Sequence, residues 1–196
     1  MDELIAVTFG YLAGSVPFAF LLARRRGVDL RRAGSGNVGA ANVLRTSGVP
    51  HAVVAMCLDA AKGVVAVLVA QRLSGGLVTP VAGGLAAVIG HMYPVWIGFR
   101  GGKGVATATG VFAVLAPVAV AIAGVVFAVA TWGTRYISVG SMTAAVALAV
   151  TAAVADLPPV VAVGATVAAV IIVHRHRGNL ARLLAGTERR VGERVS

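Results

Sequence analysis

Apolar runs close to a bilayer in length recur along most of this 196-residue chain and leave it very few folds. The runs at 4–23, 50–70 and 77–97 each approach the ~20 residues that a membrane helix needs, and 137–155 comes close to it. A last run covers 160–174, and 105–133 is a longer one. Hydrophobic residues make up 58% and charged residues 12%, where a soluble domain carries about a quarter. The mean hydropathy is +0.90. The runs are rich in Ala, Val and Leu without period-two alternation, which argues against a β-barrel. An all-α integral membrane protein is expected, with residues 1–196 as a single transmembrane domain. No internal repeat, low-complexity tract or second domain stands out.

Charge sets the topology. The net charge of +10 is concentrated in two places. Arg24, Arg25, Arg26, Arg31, Arg32 and Arg45 follow the first run, and Arg175, Arg177, Arg182, Arg189, Arg190 and Arg194 follow the last. In a soluble chain such clusters suggest nucleic acid. Between membrane runs they mark cytoplasmic loops, attracted to anionic headgroups of the lipid bilayer, and no nucleic-acid partner is expected. Asp2 and Glu3 precede the first run, where a cleavable leader would carry positive charge, so that run is expected to stay and the N-terminus to lie outside. As one helix, 105–133 would be about 43 Å long, against a hydrocarbon core near 30 Å. It would also place Arg135 and the basic tail outside. A break near Ala116-Pro117 restores both to the inside. Seven transmembrane helices follow, with the N-terminus outside and the C-terminus cytoplasmic. Asp156-Leu157-Pro158-Pro159 reads as a turn. The loops at 24–49, 98–104, 134–141 and 175–196 then share the cytoplasmic side, which argues for one cytoplasm-facing site. Cys57, the single cysteine, lies in an apolar run and is expected to pack as a small residue.

Two glycine-rich stretches have no use inside a membrane helix. They are Gly34-Ser35-Gly36-Asn37-Val38-Gly39-Ala40-Ala41-Asn42-Val43-Leu44-Arg45 and Gly101-Gly102-Lys103-Gly104-Val105-Ala106-Thr107. Residues 34–39 spell G-x-G-x-x-G, with Asp59 twenty residues on, but no buried strand precedes them, so a dinucleotide site is set aside. Lys103 is followed by Gly104 rather than Ser or Thr, so the second stretch is not a P-loop NTPase motif. What remains is an anion nest, with glycine amides turned to a ligand and Arg45 and Lys103 supplying charge. Ser35 and Asn37 can hydrogen-bond phosphate or a hydroxyl. The plainer readings are a glycine turn into the next span and a lysine snorkelling at a helix start.

Other polar residues have plain readings too. Asp59 and Lys62, three apart on one helix face, suit a structural ion pair. His91 suits packing and hydrogen bonding, His51 an interfacial position. Ser138 and Ser141 flank Gly140, as in helix capping or close packing. His176, Asn179 and Arg182 follow one slanted helix face. The histidines show no metal-ligand spacing, and no metal site is expected.

Taken together these stretches resemble the bacterial acyl-phosphate:glycerol-3-phosphate acyltransferase family. Residues 34–45 are similar to its G-S-G-N-x-G-A-T-N-x-x-R, with Ala41 in place of the threonine. His91 to Thr107 resembles H-x-x-P-V-F…G-G-K-G-V-A-T, with Trp96 as the aromatic. Arg175 to Glu188 looks like R-H-x-x-N-I-x-R-L-x-x-G-x-E. Ser138-Val139-Gly140-Ser141 and Asp59-Ala60-Ala61-Lys62-Gly63 fit as well, so the likeness touches almost the whole chain in order. It implies transfer of an acyl group from long-chain acyl phosphate to the 1-hydroxyl of glycerol 3-phosphate, giving 1-acylglycerol 3-phosphate (lysophosphatidic acid) and inorganic phosphate. That is the first step of bacterial phospholipid synthesis, and it needs no cofactor. The resemblance implies catalytic roles for Lys103, Ser141, His176 and Asn179. It implies substrate binding by Ser35, Gly36, Asn37, Gly39, Asn42, Arg45, Gly101, Gly102, Gly104 and Arg182. Glycine-loop amides would help to hold the leaving-group oxygens. A multi-pass protein of the bacterial cytoplasmic (inner) membrane follows, with transient contact to the soluble enzyme that makes acyl phosphate.

Three other classes fit less well. A transporter for an organic phosphate would show paired repeats and polar groups at mid-membrane. A structural membrane protein leaves the glycine–basic loops without a purpose. A metal-dependent lipid phosphotransferase needs clustered aspartates, whereas Asp2, Asp29, Asp59 and Asp156 are scattered.

Overall fold

The computed structural model describes residues 1–193, with no strand among the described residues. Arg194 lies outside them. The chain forms two compact units, Met1–Val114 and Leu115–Glu193. The first contains α1 (Asp2–Ser15), α2 (Phe18–Arg24), α3 (Ala40–Ser47), α4 (Val49–Leu73), α5 (Val78–Met92), a 3-10 turn (Val95–Ile97) and nearly all of α6 (Val105–Leu115). The second contains α7 (Pro117–Thr134), α8 (Ile137–Val154), α9 (Pro159–Arg175) and α10 (Arg177–Leu184).

The first apolar run is two helices rather than one. Pro17 has no N–H to continue α1, and its ring holds the preceding Val16 in an extended conformation (φ −60°, ψ 115°). The Val16 carbonyl is thereby left without a full helical partner, and Lys62 Nζ from α4 donates to it at 3.0 Å. Buried small residues let α1 and α5 pack with their backbones almost touching. A Cβ on Gly10 would strike the Gly83 carbonyl, and one on Gly90 would strike the Tyr11 carbonyl.

The long run at 105–133 breaks where its sequence places the break. Ala116 leaves helical geometry (φ −152°, ψ 63°) and Pro117 opens α7. In the second unit α7 and α8 approach closely at Gly140, where a Cβ would strike Thr131 Oγ1. Cys57 differs from expectation: it lies on the exposed face of α4 rather than in the core. The helical period turns it outward while Ala55 and Asp59 turn inward.

Among the described residues, five apolar segments are long enough to cross a membrane: Asp2–Arg24, Val49–Leu73, Val78–Ile97, Pro117–Thr134 and Ile137–Val154. A sixth is α9 with α10, bent by 51° between them. The helix α6 has 11 residues and rises about 16 Å, less than a bilayer core.

Candidate functional site

In the first unit, the loop between α2 and α3 is organised by one buried side chain. Asn42 Nδ2 donates to the carbonyls of Leu30 and Ala33, both at 3.0 Å. Its Oδ1 accepts the Ser35 N–H at 2.8 Å. Gly34 turns with φ +62°, and a Cβ there would collide with Asn42 Oδ1. Leu30, Val38 and Val43 anchor this loop in a buried cluster with Phe20, Ala23, Ala52 and Ala55. At the loop's start, Arg31 donates through Nε to Asp29 Oδ1 (3.0 Å) and through a terminal nitrogen to Oδ2 (2.9 Å). These bonds, with one from the Arg31 backbone, hold the Asp29 carboxyl down to about 2. On α4, His51 Nε2 accepts from the Arg26 guanidinium, and its Nδ1 donates to the Ser47 carbonyl at 2.9 Å.

The second glycine stretch threads past the end of α5. Gly101 N–H donates to the Met92 carbonyl (3.2 Å) and Gly102 N–H to the His91 carbonyl (3.1 Å). There is no room for side chains: a Cβ on Gly101 would strike the His91 carbonyl and Pro94, and one on Gly102 the His91 Nε2. Gly104 (φ +83°) caps α6, its carbonyl accepting from Ala108 N–H at 2.8 Å. Lys103 is half-buried at this helix start.

The two glycine stretches meet. A Cβ on Gly102 would lie 3.0 Å from the Val38 carbonyl oxygen, and one on Gly39 would lie 4.0 Å from Gly102 Cα. Their chemistry differs in one respect from the expected nest. The Ser35, Gly36, Gly101 and Gly102 amides donate to groups of the protein itself, so these four are committed to holding the loops. The side chains these two stretches carry include the exposed Ser35, Asn37, Arg45 in the last turn of α3, and Lys103.

Beneath the second loop lies a buried charge cluster. Lys62 Nζ is 2.9 Å from Asp59 Oδ1, with the two side chains 4% and 2% exposed. His91 Nδ1 is 3.5 Å from the same oxygen. Neither contact is a hydrogen bond at Oδ1: Lys62 forms an ion pair with it, and the His91 ring lies against it. A cavity of about 10 Å³ borders Asp59, Lys62, His91, Val16 and Gly101, about the room one water needs.

The second unit is organised by a carboxylate. Glu188 Oε1 accepts from Asn179 Nδ2 (2.6 Å) and Ser138 Oγ (3.0 Å), and Oε2 accepts from Arg182 Nε (2.7 Å). Burial pushes the Glu188 carboxyl up, but the hydrogen bonds from Asn179, Arg182 and Ser138, with the Arg182 charge, outweigh it and hold the group below its ordinary range. A Schellman turn brings Glu188 back: Gly186 (φ +67°) donates to the Leu183 carbonyl, and Thr187 N–H to that of Arg182. His176 is buried at the junction of α9 and α10, its Nδ1 2.8 Å from the Ile172 carbonyl. That carbonyl can only accept, so Nδ1 carries the proton and Nε2 is the basic nitrogen. Ser141 is buried one turn beyond Ser138 on α8.

The structure thus joins the two glycine stretches within the first unit, and joins Asn179 with Arg182 within the second. Asn42 proves to be a loop-holding residue, its amide hydrogens and carbonyl taken up by the chain. Glu188 and Ser138 are the organising groups that chemistry alone did not single out. The signal for Glu188 was present, as one of two acids, with Glu193, in a basic tail.

A family model described as glycerol-3-phosphate acyltransferase matches residues 4–186. A glycerol-3-phosphate acyltransferase of Anaeromyxobacter dehalogenans is 49% identical over 197 residues, covering 95% of this chain and 96% of the relative. One of Geobacter sulfurreducens is 45% identical over 190 residues, covering 97% and 98%. The fold matches a crystal structure of PlsY (YgiH), an integral membrane glycerol 3-phosphate acyltransferase, in its glycerol 3-phosphate form. The TM-score is 0.94 and the identity 42%, over 98% of this chain and 96% of that one. The lysophosphatidic acid form of PlsY matches with a TM-score of 0.92 at 41% identity, over 98% and 96%. Matched along nearly its whole length by sequence and by fold, this multi-pass membrane protein belongs to the glycerol-3-phosphate acyltransferase family.

Proposed function

We propose that this chain transfers an acyl group from acyl phosphate to the 1-hydroxyl of glycerol 3-phosphate. The products are 1-acylglycerol 3-phosphate and inorganic phosphate. The observation that carries the reading is the meeting of the two glycine stretches beside Lys103, in a chain of this family. The glycerol 3-phosphate and lysophosphatidic acid forms of PlsY correspond to the proposed substrate and product.

The roles follow from the side chains. Lys103 and Arg45 neutralise phosphate charge, and Ser35 and Asn37 hydrogen-bond the substrates. Gly36, Gly39, Gly101, Gly102 and Gly104 let the backbone pass close by, and Asn42 holds the first loop in shape. Ser141, His176 and Asn179 orient the reacting groups, while Arg182 fixes Glu188. In the reaction a bond forms between the glycerol oxygen and the acyl carbon, and the bond from that carbon to the bridging phosphate oxygen breaks. Phosphate departs, and the hydroxyl proton passes to a phosphate oxygen. Acyl phosphate is already activated, so positioning and charge neutralisation suffice and no acyl-enzyme is required.

The same reading places the chain in the bacterial inner membrane with seven spans, the N-terminus outside and the arginine-rich loops cytoplasmic. In that count α6 crosses as a short span, and α9 crosses with α10 bent away. Acyl phosphate reaches it from a soluble enzyme in transient contact. The test is turnover of purified protein with glycerol 3-phosphate, comparing palmitoyl phosphate and palmitoyl-CoA as donors. Lysophosphatidic acid and phosphate appearing one for one, from the acyl phosphate alone, is the expected result. Product from the CoA donor only contradicts the proposed leaving group.

A further inference from the structure

The buried cluster of Asp59, Lys62 and His91 has no part in the chemistry above, yet it touches the loop that carries Lys103. Three charged or titratable groups inside apolar helices are expensive unless they do something that apolar packing cannot. Their contacts connect four separate segments. Lys62 reaches from α4 to the Val16 carbonyl at the break between α1 and α2. Asp59, one turn earlier on α4, lies against His91 near the end of α5. The His91 carbonyl receives the Gly102 N–H, and its Nε2 edge lies where a side chain of Gly102 would be. The neighbouring Met92 carbonyl receives the Gly101 N–H.

We propose that Asp59 is a positioning residue for the Gly101–Gly104 loop: its carboxylate sits against the His91 ring 3.5 Å from Nδ1, the ring and carbonyl of His91 hold Gly102, and the neighbouring Met92 carbonyl holds Gly101. Lys62 is the counter-ion that lets the carboxylate stay buried, and it ties the pair to the α1–α2 break. With glycine at 102, the imidazole and the His91 carbonyl press directly on the loop backbone and set its height. A ring free to rotate about χ1 and χ2 would lose that contact, and Lys103 would lose its fixed approach. The effect on catalysis rests on the acyl-transfer reading; the holding of the loop does not.

The experiment measures amide hydrogen exchange of the peptide spanning 99–105 and, on the same samples, the KM for glycerol 3-phosphate. Asp59→Leu with Lys62→Met removes the anchor and leaves no orphaned charge. Asp59→Asn with Lys62→Met restores a polar side chain of the same shape beside Nδ1. The leucine pair is expected to speed exchange of this peptide about tenfold and to raise KM about tenfold, with α4 and α5 peptides unchanged. The asparagine pair is expected to recover protection to within about threefold of the unsubstituted protein. Unchanged exchange in the leucine pair overturns the proposal, as does equal loss in both pairs. Faster exchange with normal KM supports the loop-holding role and contradicts the placing of glycerol 3-phosphate at this loop. If the leucine pair does not fold, His91→Ala is read in the same way, with about threefold faster exchange expected and unchanged exchange overturning the proposal.

Discussion

The glycine–lysine loop of the first unit and the Glu188 cluster of the second are both polar places in an apolar protein, and they are held by opposite means. The first is fixed by backbone. Gly101 and Gly102 donate to main-chain carbonyls, and the absence of a Cβ lets them fit against His91 and Val38. The second is fixed by side chains, with Asn179, Ser138 and Arg182 converging on one carboxylate. A backbone-held loop is sensitive to added volume, and its amide–carbonyl bonds do not titrate in the working range. A carboxylate-held site is sensitive to charge and to acid. The comparison therefore predicts different failures for the two units.

The largest effect is expected from Gly102→Ala. The added methyl meets His91 Nε2 and the Val38 carbonyl, so the loop must move, and turnover should fall by about 10²-fold or more. Turnover within threefold of normal would show that loop height does not matter. Next is Glu188→Ala, which strips three donors of their acceptor. A loss of about 3 kcal/mol is expected, read as a lower midpoint in thermal unfolding in detergent. A midpoint within one degree of the unsubstituted protein would remove Glu188 as the organising group.

The pH dependence sharpens the contrast. The folded-state value of Glu188 is depressed, so its stabilising contribution is complete above the ordinary value of 4.5 and is lost as pH falls through the folded value. The difference in unfolding midpoint between the unsubstituted protein and Glu188→Gln should therefore shrink below pH 4.5 and stay constant above it. A difference that grows on acidification would contradict the assigned sign. The smallest effect is expected from Asp29→Asn. Its pair with Arg31 is solvent-exposed, so turnover should stay within about threefold of normal and the unfolding midpoint should not move measurably. A large loss would mean that the pair shapes the loop ahead of Ser35.

Much of this was legible in the sequence, for definable reasons. The spans were readable because apolar runs of bilayer length have few alternatives, and Ala116-Pro117 and Asp156–Pro159 announce breaks by proline chemistry. The break at Val16-Pro17 carries the same signal, but the run around it is short enough to cross as one helix, and length alone does not ask for a break. The two glycine stretches were recognisable as special, while the destination of their amides was not. Whether a loop N–H points to a ligand or to the protein depends on which segment lies beside it, here the end of α5 for Gly101 and Gly102 and Asn42 of α3 for Ser35. Glu188 was hidden for a similar reason. In sequence it is one of two acids in a basic tail, and only the Schellman turn at Gly186 shows that it folds back on Asn179 and Arg182. Cys57 illustrates the converse: in a helix that is apolar all round, sequence does not tell the inward face from the outward one.

The central claim is that the backbone-held loop exists to present Lys103 to a phosphate. Its most direct test is the affinity for glycerol 3-phosphate of purified Lys103→Ala against the unsubstituted protein, by calorimetry in detergent on samples of matched unfolding midpoint. The account predicts binding weakened by about 10²-fold, from loss of a charge-assisted contact to phosphate. Equal affinity in the two proteins would contradict it and would take Lys103 out of the phosphate site.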